Sequence, residues 1–171
     1  MKKRVGVIMG GPSAERAVAL ASGRRVAEAL SDRGYPVIAI DWTGTDHNLW
    51  SDLRRDRVEV AFVALHGTLG EDGCIQGLLE CAGIPYTGSG VLASALAMDK
   101  VASRRVFDEA SIETPRWTVY EGPADVQRIG LPLVVKPSRE GSSVGISIVH
   151  HESQLESALQ LASRLHGVVL L

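Results

Sequence analysis

The sequence has 171 residues, with 18 Lys and Arg against 20 Asp and Glu, a formal charge of −2 and a 45% apolar composition. That balance excludes disorder as the main state and, with no block of like charge, argues against nucleic acid or an anionic membrane surface as the principal partner. No segment approaches the roughly 18 apolar residues of a membrane span. Behind the basic Met1-Lys2-Lys3-Arg4 only the run Val5 to Met9 follows before Gly10-Gly11, too short for a signal-peptide core, so the chain reads as cytoplasmic. The length suits one large or two small domains and buries a core without disulfides or a structural metal.

In chain order, Arg4 to Met9 predicts a strand, broken by Gly10-Gly11-Pro12-Ser13. Val18, Ser22, Val26 and Leu30 keep one helical face from Ser13 to about Arg33, where Gly34 stops it. Val37 to Asp41 predicts the next strand and Thr43 to Asp56 a polar loop. Val58 to Leu65 reads as an almost uninterrupted apolar strand of the kind buried on both faces of a parallel sheet. A helix follows around Leu78, with Ile75, Leu78, Leu79 and Ala82 at helical spacing, and Ile84 to Thr87 predicts a short fourth strand. This β-α-β-α-β order predicts a parallel, doubly wound α/β sheet over residues 1–95. Cys74 and Cys81, the only cysteines, lie seven residues apart in that helix, about 10 Å by helical rise and beyond the roughly 7 Å an unstrained bridge tolerates. They read as free thiols in or near the core.

From about residue 96 the pattern changes to an α+β unit ending at Leu171. Its predicted elements are a helix over Asp99 to Ala110, strands at Trp117 to Tyr120, Leu133 to Lys136 and Gly145 to Val149, and a short helix over Asp125 to Ile129. A helix capped by Ser153 with Glu156 comes next, then an apolar strand from Val168.

In open α/β sheets ligands collect beyond the carboxyl ends of strands, so residues just after strands are the candidates. The first is Gly10 to Arg16, where glycines permit close backbone approach and a helix start favours anions; it matches neither the dinucleotide nor the Walker pattern. Glu15 there reads either as a ligand group or as a first-turn acid complementing the helix dipole. His66, followed by the flexible acidic loop Gly67 to Gly73, reads as a carboxylate donor or a structural histidine. The third feature is Lys136 to Gly145, a lysine at a strand end followed by a Gly/Ser-rich turn whose N–H and hydroxyl donors suit phosphate oxygens; a hairpin with a solvated lysine is the alternative. Lys100 alone reads as a surface lysine. His47, His150, His151 and His166 sit in polar or turn contexts and read as solvated, and no metal-ligand spacing is present.

Five motifs in order carry a resemblance: Gly-Gly-Pro-Ser-Ala-Glu-Arg at 10–16, His-Gly-x-x-Gly-Glu-Asp-Gly at 66–73, Pro-Tyr-Thr-Gly-Ser-Gly-Val at 85–91, Met-Asp-Lys at 98–100 and Val-Lys-Pro-Ser-Arg-Glu-Gly-Ser-Ser-Val-Gly at 135–145. Together they resemble the D-alanine-D-alanine ligase family of the ATP-grasp superfamily. The resemblance implies an N-terminal Rossmann-like, pre-ATP-grasp substrate domain over 1–95 and the first ATP-grasp lobe over 96–171, with the second lobe absent. It implies ATP-dependent joining of two D-alanines through an acyl phosphate, releasing ADP and phosphate, for peptidoglycan precursor synthesis, and a possible homodimer.

Residue by residue, Glu15 matches the acid near the ammonium of the first D-alanine, His66 the group near its carboxylate, and Ser142 the serine linked to Glu15. Lys100 and Lys136 match the lysines on the ATP phosphates, and Glu140, Gly141, Ser142, Ser143, Val144 and Gly145 the glycine-rich flap. The adenine-contacting segment, a mobile loop, an arginine and the ligands of two Mg2+ ions are expected after Leu171. The resemblance therefore predicts that these 171 residues alone are inactive. Ala17 and Ala19 stand where the family more often has Glu and Ser. The sequence also admits a non-catalytic module that binds amino acid or nucleotide, and a ligase joining D-alanine to D-lactate or D-serine.

Overall fold

The structure is a computed structural model that describes residues 2–44, 48–141, 143–165 and 167–171. The chain folds as two compact units, Met1–Ala95 and Leu96–Leu171.

In the first unit, β1 (Val5–Gly10) is the central strand. It pairs in parallel with β2 (Val37–Trp42) on one side and with β3 (Val60–Val63) on the other. All six of its residues are buried, because both sheet faces are covered. Val5, Val7 and Met9 pack with Leu20, Val26 and Leu30 of α1 (Arg16–Asp32). Ile8 points the other way, into a core with Leu49, Leu53, Ile75 and Leu79 from α2 (Leu49–Arg55) and α3 (Cys74–Ala82). The strand period of two thus assigns alternate residues of β1 to opposite helix layers. α1 approaches β1 so closely that a Cβ on Gly23 would lie 2.5 Å from Met9 Cβ.

Several expectations are corrected. The segment predicted as a loop contains α2: the Asn48 side chain accepts from the Ser51 N–H at 3.1 Å, and Leu49 and Leu53, one turn apart, are buried. Two buried leucines in a seven-residue helix make too short a period to read. β3 is four residues long rather than eight, because Arg57 takes a positive φ of 52° and the Glu59 and Val60 N–H groups are both held by the Arg4 carbonyl. The fourth strand reduces to one parallel bridge between Ala61 and Tyr86 at the sheet edge. α4 (Val91–Met98), apolar nearly all round and without periodicity, was not anticipated and carries the chain into the second unit. Cys74 and Cys81 are free thiols but exposed, since both lie about 100° around α3 from the centre of its Ile75, Leu78, Leu79 and Ala82 stripe.

The second unit holds α5 (Lys100–Glu109), α6 (Pro123–Ile129), α7 (Leu155–Leu165) and an antiparallel sheet of β4 (Leu133–Pro137), β5 (Ser147–Val149) and β6 (Val169–Leu170) in the order β5-β4-β6. Leu133, Val135 and Val149 face a core with Val126, Ala158 and Ala162. Trp117 to Tyr120 adds a single bridge, Val119 to Leu170, instead of a strand. Ser153 does not cap α7. A 3-10 turn, Glu152–Gln154, precedes that helix, and Gln154 Oε1 accepts the His150 and His151 N–H groups at 2.8 and 3.2 Å.

The close α1–β1 approach yields a prediction. Gly23→Ala gains about 1 kcal/mol of helix propensity, yet the forced displacement of Met9 costs about 1–3 kcal/mol. Urea denaturation is expected to show a net loss of roughly 1 kcal/mol; an unchanged midpoint would mean that α1 lifts off β1 freely.

Candidate functional site

Each unit carries its own group of candidate residues. In the first, the chain leaves β1 for β2 and later returns to β3 on the opposite side of β1. This reversal places the loops after β1 and β3 side by side at the carboxyl edge of the sheet. Gly10 and Gly11 turn there with φ of 87° and 83°, and a Cβ on Gly10 would collide with the Arg16 guanidinium and the Asp41 carboxylate. Arg16 locks this turn, with Nη2 2.8 Å from Asp41 Oδ1 and Nη1 donating to the Trp42 carbonyl at 3.1 Å.

The two loops are then joined. Ser13 Oγ donates to the His66 carbonyl at 2.7 Å and accepts the Glu15 N–H at 3.2 Å. A Cβ on Gly67 would sit 3.0 Å from Glu15 Oε2, so the half-buried Glu15 carboxylate packs on that glycine. Glu71 Oε2 accepts the Gly67 N–H at 2.8 Å, and its other oxygen lies 3.9 Å from His66 Nδ1. Asp72 accepts from the Leu69 and Cys74 N–H groups, folding the rest of the loop onto the start of α3. His66 Nε2 is buried with no hydrogen-bond partner among the described residues, which leaves one ring nitrogen available to a ligand or water. The structure thus brings Glu15 and His66 onto touching loops. At Cys74, burial and the Asp72 carboxylate push the thiol up, away from nucleophilic character.

In the second unit, Asp99 caps α5, its Oδ1 accepting the Val101 and Ala102 N–H groups at 2.9 and 3.1 Å. Lys100 follows, with its N–H on the Ser138 carbonyl at 2.9 Å and its Nζ donating to the Glu140 carbonyl. Lys136 sits on β4. Burial, and then the Lys136 charge, hold Lys100 below its ordinary value, against the opposing pull of Glu140 and Asp99. Burial, and then Arg104, lower Lys136. At Asp99 burial pushes upward but is outweighed by the Ala102 N–H and by Arg139, leaving the carboxyl below its usual range.

Lys136 and Arg104 line a cavity of about 380 Å3 whose walls include Trp117, Val134, Ile148 and His150. The cavity thus sets positive charge beside apolar walls. Beyond Glu140, Gly141 accepts the Val144 N–H at 3.0 Å, and Ser143 and Gly145 take positive φ of 62° and 72°, so the turn reverses sharply. Ser142, His47 and His166 lie outside the described residues. His150 and His151 are exposed, His150 on the cavity wall. Sequence reasoning missed Arg104, whose signal was its position one helical turn beyond Lys100.

Comparisons with known proteins identify the family of the chain. Residues 41–89 match the family model described as D-ala D-ala ligase N-terminus, and residues 106–171 the one described as D-ala D-ala ligase C-terminus. The chain is 49% identical over 177 residues to a D-alanine-D-alanine ligase of Desulforudis audaxviator, covering 100% of this chain and 57% of that protein. It is 52% identical over 173 residues to one of Trichlorobacter lovleyi, covering 99% of this chain and 54% of that protein. The crystal structure of D-alanine-D-alanine ligase from Bacillus anthracis superposes with a TM-score of 0.85 at 36% identity, covering 98% of this chain and 56% of that one. The same enzyme complexed with ATP gives 0.83 at 34% identity, covering 98% of this chain and 57% of that one. The chain belongs to the D-alanine-D-alanine ligase family. It spans just over half the length of the curated relatives it matches.

The cation group makes a stability prediction. With the Lys136 folded value below its ordinary 10.5, the unfolded chain binds more protons between the two values, so stability rises as pH climbs through that window. The full penalty is therefore present at neutral pH. Lys136→Met is expected to stabilise the chain by about 0.5–1 kcal/mol at pH 7, a small figure because the half-buried group is partly screened, and to flatten the alkaline gain. Urea midpoints at pH 7 and pH 10 measure both effects.

Proposed function

We propose that this chain supplies the amino-acid half-site and the phosphate-binding half-site of a ligase that joins two D-alanines with ATP. The observation that carries the reading is the meeting of the loops that hold Glu15 and His66, whose Nε2 has no partner among the described residues, at the sheet reversal of a chain from this family. Glu15 receives the ammonium of the first D-alanine, and His66 donates to its carboxylate. Lys100, Lys136 and the N–H groups of the Glu140 to Gly145 turn take the phosphate oxygens of ATP.

The chemistry needs these charges because two anions must meet. A carboxylate oxygen attacks the γ-phosphorus, ADP leaves, and an acyl phosphate remains. The amine of the second D-alanine then attacks the acyl carbon, loses a proton and expels phosphate. Among the described residues no group of three or more His, Cys, Asp or Glu side chains could hold a metal ion. No helix among the described residues is long and apolar enough to cross a membrane, and we place the reaction in the cytoplasm. Assembly as a homodimer belongs to the same reading and is measured by sedimentation.

Because relatives of this family are nearly twice as long, turnover is measured on the longest product read from the gene, and ligand binding on this chain. Phosphate release from ATP is expected to require D-alanine, with L-alanine ineffective; release independent of D-alanine would sink the assignment. Glu15→Gln removes a charged hydrogen bond to the ammonium and is expected to raise the D-alanine KM by about tenfold or more while leaving the ATP KM unchanged.

A further inference from the structure

We infer that Asp99 and Arg139 act as a pair of positioning residues that aim Lys100 at its ligand, an inference that rests on the reading of Lys100 as a phosphate-binding group. Met-Asp-Lys and Ser-Arg-Glu are 40 residues apart, yet three consecutive bonds join them. Arg139 Nε donates to Asp99 Oδ2 at 2.9 Å. The Lys100 N–H donates to the Ser138 carbonyl at 2.9 Å, and Lys100 Nζ to the Glu140 carbonyl. Residues 138, 139 and 140 are thus each held by 99 or 100. The base of this staple is itself fixed: Ser138 is 3% exposed and its N–H donates to the Val168 carbonyl at 3.0 Å.

The arrangement matters because a lysine is a point charge on a flexible four-carbon stem, with no preferred direction of its own. Lys100 acquires a direction from a backbone carbonyl at Glu140, whose place depends on how the preceding peptide is held. An ion pair between two mobile surface chains contributes little, since both must be ordered to make it. Asp99 differs, because its carboxylate is already immobilised by two N–H groups at the start of α5 and is only 20% exposed. Arg139 therefore meets a pre-ordered acceptor, the setting in which a charged hydrogen bond is strong. The two carboxylate oxygens have separate tasks, Oδ1 for the helix and Oδ2 for Arg139, so the tasks are separable by mutation.

The test uses this chain with ATP as the titrant in calorimetry at low salt, alongside thermal melting. Asp99→Ser keeps a capping oxygen but lacks the one Arg139 uses, and Arg139→Gln removes the cation while leaving the cap intact. Each is expected to weaken ATP binding about fivefold, the effect of one pre-ordered charged hydrogen bond. The double variant is expected to lose no more than either single one, Arg139→Lys to recover part of the affinity, and all melting midpoints to stay within about 2 °C. Wild-type affinity in the variants, or losses that multiply in the double variant, would overturn the pairing. So would affinity losses matched by lower melting midpoints and not relieved by Arg139→Lys, the mark of a merely structural role. Absence of ATP binding by the wild-type chain would instead remove the phosphate-site reading, and the positioning role with it.

Discussion

The first unit depends on one constraint: β1 must be hydrogen-bonded on both sides and covered on both faces. Parallel neighbours cannot be joined by a tight turn, so each pairing requires a crossover, and the two crossovers around β1 run to opposite sides. Buried Val5, Val7 and Met9 draw α1 onto one face, while Ile8 holds α2 and α3 on the other. Where the chain reverses, the loops after β1 and β3 cannot be covered by a connecting helix and remain together at the sheet edge. The contact of Ser13 and Glu15 with His66 and Gly67 follows from that topology.

The second unit meets a different demand. Lys100, Lys136 and Arg104 are brought near one another although burial and like charge oppose it. Such an arrangement persists only because the antiparallel sheet and its core, from Val135 and Val149 to Ala162, hold the backbone beneath it. Positive charge concentrated at a stability cost is consistent with the phosphate-binding role proposed for Lys100 and Lys136.

Much of this was legible from residue order. α1, α3 and α5 have apolar rows or caps long enough to read, and β1 and β4 are apolar runs ended by glycine or by lysine and proline. Glu15, His66, Lys100 and Lys136 stand out because they follow strands or open a helix. α2 was illegible because two leucines do not make a period, and α4 because an almost uniformly apolar segment has none. The strands expected at Ile84 to Thr87 and Trp117 to Tyr120 shrink to single bridges, because β-propensity does not say how many partners an edge segment will find. Residue type alone puts Cys74 and Cys81 in or near the core, whereas the face of α3 decides exposure.

By itself, the sequence determined the class of each unit, the boundary in pattern near residue 95 and which residues are candidates for chemistry, because periodicity, turn residues and motif order are local properties of a chain. Only the tertiary structure decided which of those residues act on one another. That Arg16 reaches Asp41, that Arg104 bears on Lys136 and that Arg139 meets Asp99 across 40 residues are consequences of strand order and helix packing. Local patterns cannot encode them, since charge and hydrogen bonding act through space and their distances are set by the folded backbone alone.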